Sequence, residues 1–523
     1  MQVSVSECVY LGLQFCYVCG LIIRVYFLLI YHIFITAFVG PLTTKTMFLI
    51  TLLATLIYPR LLLLLPVVLA VGLLLVRFWV KRKSARKFPN TFTIGFFHPY
   101  CNAGGGGERV LWTAIRALQI KYGPKITCVI YTGDLNVNGQ DILHRAEQRF
   151  NIVLPHPVDF IFLKKRKFVE AKMYPHFTLL CQSLGSLIIG FEALFSFVPD
   201  LFCDSMGYAF TLPLFRYLGG CQVSCYVHYP TISTDMISLI TDQTATYNNS
   251  ASISSNPVLS RLKLIYYNIF AWIYSLVGRC SSVVMVNSSW TYGHISSLWK
   301  VSSTKIVYPP CDVTEFLKIP LQRDCKIHSI ISIGQFRPEK DHPLQIKSFA
   351  KFLSQVPEKS HSLYKLQLVG SCRDSEDTKR VSELKELALI LGVSHYVDFH
   401  LNVSFSDLKQ LLSEAEIGLH TMWNEHFGIG VVECMAAGTI ILAHDSGGPK
   451  MDIVVQHDEN RTGFLASDVD NYSDAMRTIF DLSENEKMNI RRNARSHIEK
   501  FSDKQFSDQF MNVLEPLIKI NIS

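Results

Sequence analysis

The chain has 523 residues, of which 49% are hydrophobic and 18% are charged, and its formal net charge is +7. This length accommodates two or three domains, and the composition is more apolar than that of an ordinary soluble protein. The sequence contains no dense stripe of Lys and Arg, which argues against a nucleic-acid partner. The 14 cysteines show no paired zinc-site spacing, and the CxxC at residues 16–19 lies in an apolar run. We therefore expect reduced thiols and no metal site.

The first 80 residues predict a membrane anchor. Residues 25–44 contain no charged side chain, and residues 46–76 contain a single charged side chain, that of Arg60. Because a membrane-spanning helix needs about 20 apolar residues, the segment has room for one or two spans. A cleaved signal peptide is the alternative, but no small-residue cleavage site follows the apolar run. The basic residues within 77–87 predict that the rest of the chain lies in the cytosol.

Beyond residue 88, short β-rich runs alternate with helical patterns. The predicted strands cover residues 91–97, 126–131, 224–228 and 282–287 in a first series, and 328–334, 365–369, 397–401 and 417–420 in a second. Such alternation indicates parallel sheets of βαβ units. We predict an α/β fold of two Rossmann-like domains, residues 88–312 and 313–523, that face a cleft, with the last helix returning to the first domain. Ligands in such folds bind at the carboxyl ends of the strands.

Two helical stretches in the first domain are unusually apolar. They lie within residues 177–218 and 262–277. One interpretation is that they are buried core helices. The other is that they form a surface that dips into the bilayer to meet a lipid substrate.

A glycine-rich loop separates the first predicted strand from a predicted helix. It consists of Gly104, Gly105, Gly106 and Gly107. Glycines let the backbone approach a ligand closely, and the N–H groups at the start of the following helix attract negative charge. The loop fits neither the dinucleotide fingerprint nor the Walker pattern, and a plain tight turn is the alternative interpretation.

Two glutamates follow the strand predicted at residues 417–420. Glu425 falls in a loop and Glu433 falls in the next helix, with Gly428 and Gly430 between them. Their surroundings are apolar, which disfavours an ordinary solvated surface. One carboxylate could reach the sugar of a nucleotide-sugar donor while the other binds ribose hydroxyls.

Two further segments lie just past predicted strands. Arg337 and Lys340 follow the strand predicted at 328–334 and are well placed to hold a diphosphate and stabilise its charge as it leaves. An ordinary basic loop is the alternative. His228 ends the strand predicted at 224–228, where a structural or a catalytic role is possible.

In combination these motifs resemble the retaining GT-B glycosyltransferases of the glycogen-synthase-like group. The longer strings at residues 96–103, 226–230, 334–341 and 423–428 resemble the asparagine-linked glycosylation protein 11 family, and the similarity runs from about residue 90 to the C-terminus. That family comprises the GDP-mannose-dependent dolichyl-diphosphate-oligosaccharide α-1,2-mannosyltransferases of the endoplasmic reticulum.

The resemblance implies an enzyme that adds the fourth and fifth mannoses, both α-1,2-linked, to the trimannosyl chitobiose core on dolichyl diphosphate. It implies a GDP-mannose donor, retention of the anomeric configuration, and no cofactor or required metal. It also implies catalytic domains on the cytosolic side of the endoplasmic reticulum membrane, with other mannosyltransferases of lipid-linked oligosaccharide synthesis as candidate partners.

The resemblance also implies roles for individual residues. Glu425 would face the mannose and Glu433 the ribose, while Arg337 and Lys340 would hold the diphosphate. The remaining implied positions are His228 and the loop Gly104, Gly105, Gly106 and Gly107 on the acceptor side, and Gly428 and Gly430 on the donor side. In the wider group an arginine directly follows the glycine that ends the strand, whereas this sequence has Gln335 there and Arg337 two residues later.

Two alternatives accompany this interpretation. The first is another membrane-anchored GT-B glycosyltransferase that uses a different nucleotide sugar. The second is a non-catalytic membrane scaffold, which the intact set of Glu425, Glu433, Lys340 and His228 disfavours, because a scaffold has no need of polar groups converging on a cleft.

Overall fold

A computed structural model describes residues 67–68, 70–236, 257–323, 326–372, 375–456 and 460–518. The chain divides into two units, Met1–Lys83 and Ser84–Ser523. Most of the predicted anchor, up to residue 66, lies outside the described residues. Within the first unit, residues 70–83 are helical.

Among its described residues, the second unit contains the eight strands predicted from the alternating pattern, together with five that were not predicted. In chain order the strands are β1 (Phe92–Phe97), β2 (Ile126–Thr132), β3 (Asp159–Phe162), β4 (Leu201–Asp204), β5 (Gln222–Val227), β6 (Val283–Val286), β7 (Thr304–Ile306), β8 (His328–Ile333), β9 (Tyr364–Gly370), β10 (Val397–Leu401), β11 (Ala415–Leu419), β12 (Ile440–His444) and β13 (Gly463–Ala466). The region 177–218 is therefore not one helix, because β4 interrupts it.

The longer helices connect these strands. They are α1 (Gly106–Tyr122), α2 (Gly139–Phe150), α3 (Thr178–Ser196), α4 (Pro257–Gly278), α5 (Ser289–Trp299), α6 (His342–Ser354), α7 (Ser375–Ile390), α8 (Phe405–Glu414), α9 (Ile429–Ala437), α10 (Val469–Asp481), α11 (Glu484–His497) and α12 (Asp503–Leu514). Short helical segments include Thr211–Pro213, Leu214–Gly219 and Thr314–Leu317. Polar side chains cap several helix starts, as where Ser502 accepts a hydrogen bond from the Gln505 N–H.

The strands form two parallel sheets. Among the described residues, the first sheet has seven strands in the order β3-β2-β1-β4-β5-β6-β7, and the second has six in the order β10-β9-β8-β11-β12-β13. The central strands β1, β5, β8, β11 and β12 consist almost entirely of buried residues, as expected when helices cover both faces of a parallel sheet. The prediction of two Rossmann-like α/β domains is confirmed.

Both sheets reverse their strand order beside the first strand of the domain. This happens between β1 and β4 in the first sheet and between β8 and β11 in the second. The loops that leave the carboxyl ends of these strands diverge and open a crevice, which is where doubly wound folds bind ligands. The glycine-rich loop follows β1, the basic loop follows β8, and Glu425 follows β11.

The last helix packs on the first domain. Phe506 and Phe510 of α12 belong to the same buried cluster as Trp112 and Tyr226 of that domain. Asp503, at the start of α12, accepts hydrogen bonds of 2.8 and 2.9 Å from Nη2 of Arg109. The second half of the chain thus supplies part of the first domain's core.

Candidate active site

A cleft between the two domains of the second unit brings the predicted motifs together. Its volume is about 1720 Å³, and it is lined from the first domain by Gly104, Gly105 and Gly106 and from the second by Gln335, Arg337, Lys340, Gly430 and Glu433. A pocket for one small ligand usually measures about 300–1,000 Å³. The cleft therefore has room for two substrates at once.

Glu425 is not among the residues that line the cleft, but it lies between Asn424 and His426, which do, and it contacts a cation and an imidazole. Its Oε2 is 2.5 Å from Nζ of Lys340 and 3.2 Å from Nε2 of His420, and its side chain is 14% exposed. Burial raises the pKa of Glu425, but the hydrogen bond from His420 and the charge of Lys340 outweigh burial and hold the pKa well below its usual value. The carboxylate is therefore ionised in the ligand-free protein.

Lys340 reaches Glu425 because its loop is anchored at both ends. The N–H of Gly334 donates to the Val369 carbonyl at 2.9 Å, and the Lys340 carbonyl accepts a 2.8 Å hydrogen bond from Oγ1 of Thr421. Arg337, in contrast, is about half exposed and has a loose ion pair of 3.8 Å with Glu339. The guanidinium of Arg337 is thus available to an anion in the cleft.

Gly428 and Gly430 form the start of α9. Gly428 has φ 107°, a conformation that strains residues with a Cβ, and it precedes the first helical residue. The first N–H groups of a helix have no partner within the helix and attract anions. Because Gly430 lines the cleft, the positive end of α9 is directed towards a ligand there.

Glu433 lies one helical turn further along α9 and is partly buried at the cleft wall. Burial raises its pKa to about 7, since Arg109 and Arg149 offset only part of the lost hydration. The guanidinium of Arg109 does not pair with Glu433, because it donates hydrogen bonds to Asp503 and to the Pro310 carbonyl. Glu433 forms no ion pair with any residue in the described ranges, so its oxygens can accept hydrogen bonds from a ligand.

The glycine-rich loop lines the cleft on the first-domain side. The Gly105 N–H donates to Oε2 of Glu108 at 2.5 Å, which ties the loop to the first turn of α1. A Cβ on Gly106 would lie 2.7 Å from Cδ1 of Ile429 at the start of α9. A larger residue would therefore make the Ile429 side chain shift, and the short distance shows how closely the two domains approach here. Gly104 has φ 76°, which also favours glycine.

His228 lies behind the glycine-rich loop rather than on the cleft wall. Its Nε2 is 3.2 Å from the Ser205 carbonyl and about 3.5 Å from the position of a Cβ on Gly107. Burial and the neighbouring His98 lower the pKa of His228 to about 4, so the imidazole is neutral near pH 7. Because Nε2 donates to the carbonyl, Nδ1 is left as an acceptor.

A buried hydrogen-bond network that supports this loop was not predicted from the sequence. His98 is fully buried, with Nδ1 2.9 Å from Oγ of Ser205 and Nε2 3.4 Å from Oε1 of Glu108. It directly follows β1, so the rule that ligand sites lie at strand ends could have flagged it. His420, which directly follows β11, could have been found by the same rule.

A second missed feature joins the two domains at the edge of the cleft. Nδ2 of Asn424 donates to Oδ2 of Asp235 at 2.8 Å. The His426 ring stacks on Tyr229, with ring centroids 5.1 Å apart, and makes a tilted contact of 5.2 Å with Trp290. No sequence pattern predicts these pairs, because the partners lie far apart along the chain.

One helix is long and apolar enough to cross a membrane. This is α3, Thr178–Ser196, and a third of its most apolar window is buried in the protein. Core helices of soluble proteins can pass the same test of length and composition. Among the residues that the structure describes, no other helix passes it.

The sequence matches two family models along most of the second unit. Residues 91–299 match the model described as ALG11 mannosyltransferase N-terminus, and residues 315–497 match glycosyl transferases group 1. A human protein named GDP-Man:Man(3)GlcNAc(2)-PP-Dol alpha-1,2-mannosyltransferase is 58% identical over 452 residues, covering 85% of this chain and 92% of the human one. A Dictyostelium discoideum protein with the same name is 48% identical over 443 residues, covering 83% of this chain and 86% of its own.

Solved structures show the same fold at low sequence identity. Anabaena HepE, crystallised with UDP and glucose, aligns with a TM-score of 0.54 at 15% identity, over 81% of this chain and 99% of its own. Sucrose-phosphate synthase from Thermosynechococcus elongatus aligns with a TM-score of 0.56 at 16% identity, over 82% and 99%. These similarities establish the GT-B architecture. The extensive identity to the curated relatives further shows that the chain is a glycosyltransferase that belongs to the ALG11 mannosyltransferase family.

Proposed function

We propose that this enzyme transfers mannose from GDP-mannose, in α-1,2 linkage, to the oligosaccharide on dolichyl diphosphate. It would add the fourth and fifth mannoses at the cytosolic face of the endoplasmic reticulum. The names of the relatives support this substrate pair. The observation that carries the proposal is the ionised Glu425 paired with Lys340, which lines a cleft that also contains the glycine-rich loop and is large enough for two substrates.

In the proposed complex, the donor lies along the second domain. The ribose hydroxyls donate to Glu433, and the diphosphate binds at the start of α9 with Arg337 and Lys340. Glu425 accepts hydrogen bonds from the mannose hydroxyls. The distribution of charge supports this arrangement, since Arg337 is exposed to the cleft and the positive end of α9 is directed into it.

The proposed reaction breaks the bond between the mannose anomeric carbon and the diphosphate. The anomeric carbon then bonds to the oxygen of an acceptor 2-hydroxyl on the face from which the diphosphate departs, which retains the configuration. The hydroxyl proton passes to the departing phosphate oxygen, so GDP leaves as the second product. Lys340 and Arg337 stabilise the negative charge that develops on the diphosphate.

The first domain holds the acceptor in this scheme. His228 is neutral and lies behind the glycine-rich loop, so it suits support of that loop better than it suits the supply of positive charge. The loop from Gly104 to Gly107 leaves space for a sugar ring beside the donor. The proposal assigns no metal, because Lys340, Arg337 and α9 supply the positive charge that a metal would otherwise provide.

An exposed apolar surface supports a membrane-bound acceptor. On α3, the exposed side chains at positions 184, 188, 191 and 195 are all apolar and share one helical face. On α4, exposed apolar side chains recur at 258, 262, 265, 269, 272 and 276, again on one face. Tyr266 of α4 accepts a 3.2 Å hydrogen bond from the Leu180 N–H of α3, so the two helices adjoin. Such a surface suits the interfacial region of a bilayer, where it would meet the lipid substrate.

Purified full-length protein in detergent tests the proposal directly. Given labelled GDP-mannose and a lipid-linked trimannosyl acceptor, it should add two mannoses, and EDTA should not reduce the rate. An absence of transfer, or equal transfer from UDP-glucose, would overturn the proposal. Association with other mannosyltransferases of the same synthesis stays a prediction from the sequence.

Glu425→Ala should abolish turnover, because Glu425 is proposed to orient the mannose and Lys340 would lose its partner. The loss should exceed about 100-fold, in line with the removal of a group that acts at the reacting centre. Circular dichroism should show an intact fold. The matched control is Glu383→Ala, which removes an exposed glutamate in a loose pair on α7 and should retain full activity. Undiminished activity of Glu425→Ala would remove this residue from the site.

A further inference from the structure

A tryptophan at the cleft has no hydrogen-bond or ring partner among the residues that the structure describes. Trp423 lines the cleft and is 50% exposed. Its ring makes no hydrogen bond or ring contact with any residue in the described ranges. Large aromatic side chains gain most from burial, and an isolated one left facing a ligand cleft is therefore informative.

The turn that carries Trp423 is rigid. Asn424 has φ 51°, an unfavourable conformation for a residue with a side chain. Its N–H donates to Oγ of Ser446 at 2.7 Å, and the Gly448 N–H donates to the Glu425 carbonyl at 2.7 Å. These contacts hold the backbone beside Trp423, so little backbone ordering entropy is lost when a ligand binds there.

Trp423 lies beside the contacts that join the two domains. Its neighbour Asn424 donates a hydrogen bond to Asp235 of the first domain, and the His426 ring stacks on Tyr229. Tyr229 is 56% exposed and also lines the cleft. Trp423 therefore lies where the cleft meets the first domain, which is the side proposed to hold the acceptor.

We propose that Trp423 is a stacking platform for a mannose ring of the acceptor oligosaccharide. This inference rests on the proposed function and assigns the substrate class of a site on its acceptor side. One face of a pyranose carries several C–H groups with partial positive charge, and the face of an indole ring is negative. An exposed tryptophan face therefore binds such a ring and orients the next hydroxyl towards the donor.

Steady-state kinetics of full-length protein test this role. Trp423→Ala should raise KM for the lipid-linked trimannosyl acceptor about tenfold, equivalent to about 1.4 kcal/mol. KM for GDP-mannose should stay within about twofold of the wild-type value, because the donor does not contact the ring. Trp423→Phe keeps an aromatic face and should restore most of the acceptor affinity. The control is Tyr217→Ala, which removes an exposed aromatic ring that does not line the cleft and should leave both KM values unchanged.

The outcomes separate this inference from the proposed function. Transfer by the wild-type protein supports the function whatever the variants do. An unchanged acceptor KM in Trp423→Ala, or an equal rise in the GDP-mannose KM, would overturn the stacking role alone. If Trp423→Ala is too unstable to assay, Trp423→Phe and Trp423→Leu decide the question, because equal acceptor KM values for these two would contradict an aromatic platform.

Discussion

The affinity of the enzyme for GDP-mannose should depend on the protonation of Glu433. Its pKa is raised to about 7 by burial, and Arg109, the main cation offsetting this, is bound to Asp503. An ionised carboxylate can accept hydrogen bonds from both ribose hydroxyls, whereas the protonated acid has to donate one. Donor binding should therefore tighten as the pH rises through 7.

The size of the effect follows from the pKa. With a pKa near 7, about one tenth of the Glu433 side chains are ionised at pH 6 and about nine tenths at pH 8. If the ionised form is the one that binds, Kd falls about tenfold over this interval, equivalent to about 1.4 kcal/mol. His228, whose pKa is lowered to about 4, stays neutral throughout and does not contribute.

Calorimetric titration with GDP-mannose, in the absence of acceptor, measures this dependence at pH 6, 7 and 8. Glu433→Gln should bind weakly and with no change in Kd across the range. The matched control is Asp204→Asn, because burial also raises the pKa of Asp204 to about 7 but this residue does not line the cleft. That variant should keep the wild-type slope. A wild-type Kd independent of pH, or a slope retained in Glu433→Gln, would refute the reasoning.

Two further predictions concern stability and the membrane. Lys487→Ala should lower the free energy of unfolding by about 1.5–3 kcal/mol in urea denaturation, because Glu416 loses its 3.0 Å partner and keeps only His328. The control is Lys379→Ala, which breaks the exposed ion pair with Glu383 and should lower the free energy of unfolding by about 0.5 kcal/mol or less. A similar loss in both variants would contradict the argument. Full-length protein in vesicles of brominated phospholipid should show tryptophan quenching that Trp272→Phe reduces, since Trp272 is 64% exposed on the apolar face of α4. Trp112→Phe, in the core, should not reduce it, and quenching unchanged by Trp272→Phe would remove that face from the bilayer.

Part of the fold follows from local sequence patterns. Strands such as β1 and β2 are long, are rich in β-branched and aromatic residues, and are followed by polar or glycine-containing segments, so they stand out from the helices around them. Five strands were not predicted: the five-residue β12 and the shorter β3, β4, β7 and β13. Each of these shorter strands has four residues or fewer, and β4 lies in an apolar stretch that also contains α3, so periodicity does not separate it from a buried helix.

The candidate site likewise has features that local sequence patterns predict and features that depend on the tertiary structure. The sequence alone identified the chemical groups that follow strand ends, including the glycines at 104–107, Lys340 and Glu425, because a parallel sheet presents these positions at one edge. It also carried the family resemblance that the comparisons confirmed. These inferences needed only local patterns and motif spacing.

Only the tertiary structure decided which of these groups meet. Lys340 contacts Glu425 across 85 residues, Asn424 bonds Asp235 across 189, and Gly106 lies against Ile429 because two separately folded sheets face each other. The opposite pKa shifts of the two glutamates have the same origin. Packing places the Lys340 cation in contact with Glu425, whereas Arg109 and Arg149 act on Glu433 only from a distance, and that difference depends on long-range contacts that no local pattern specifies.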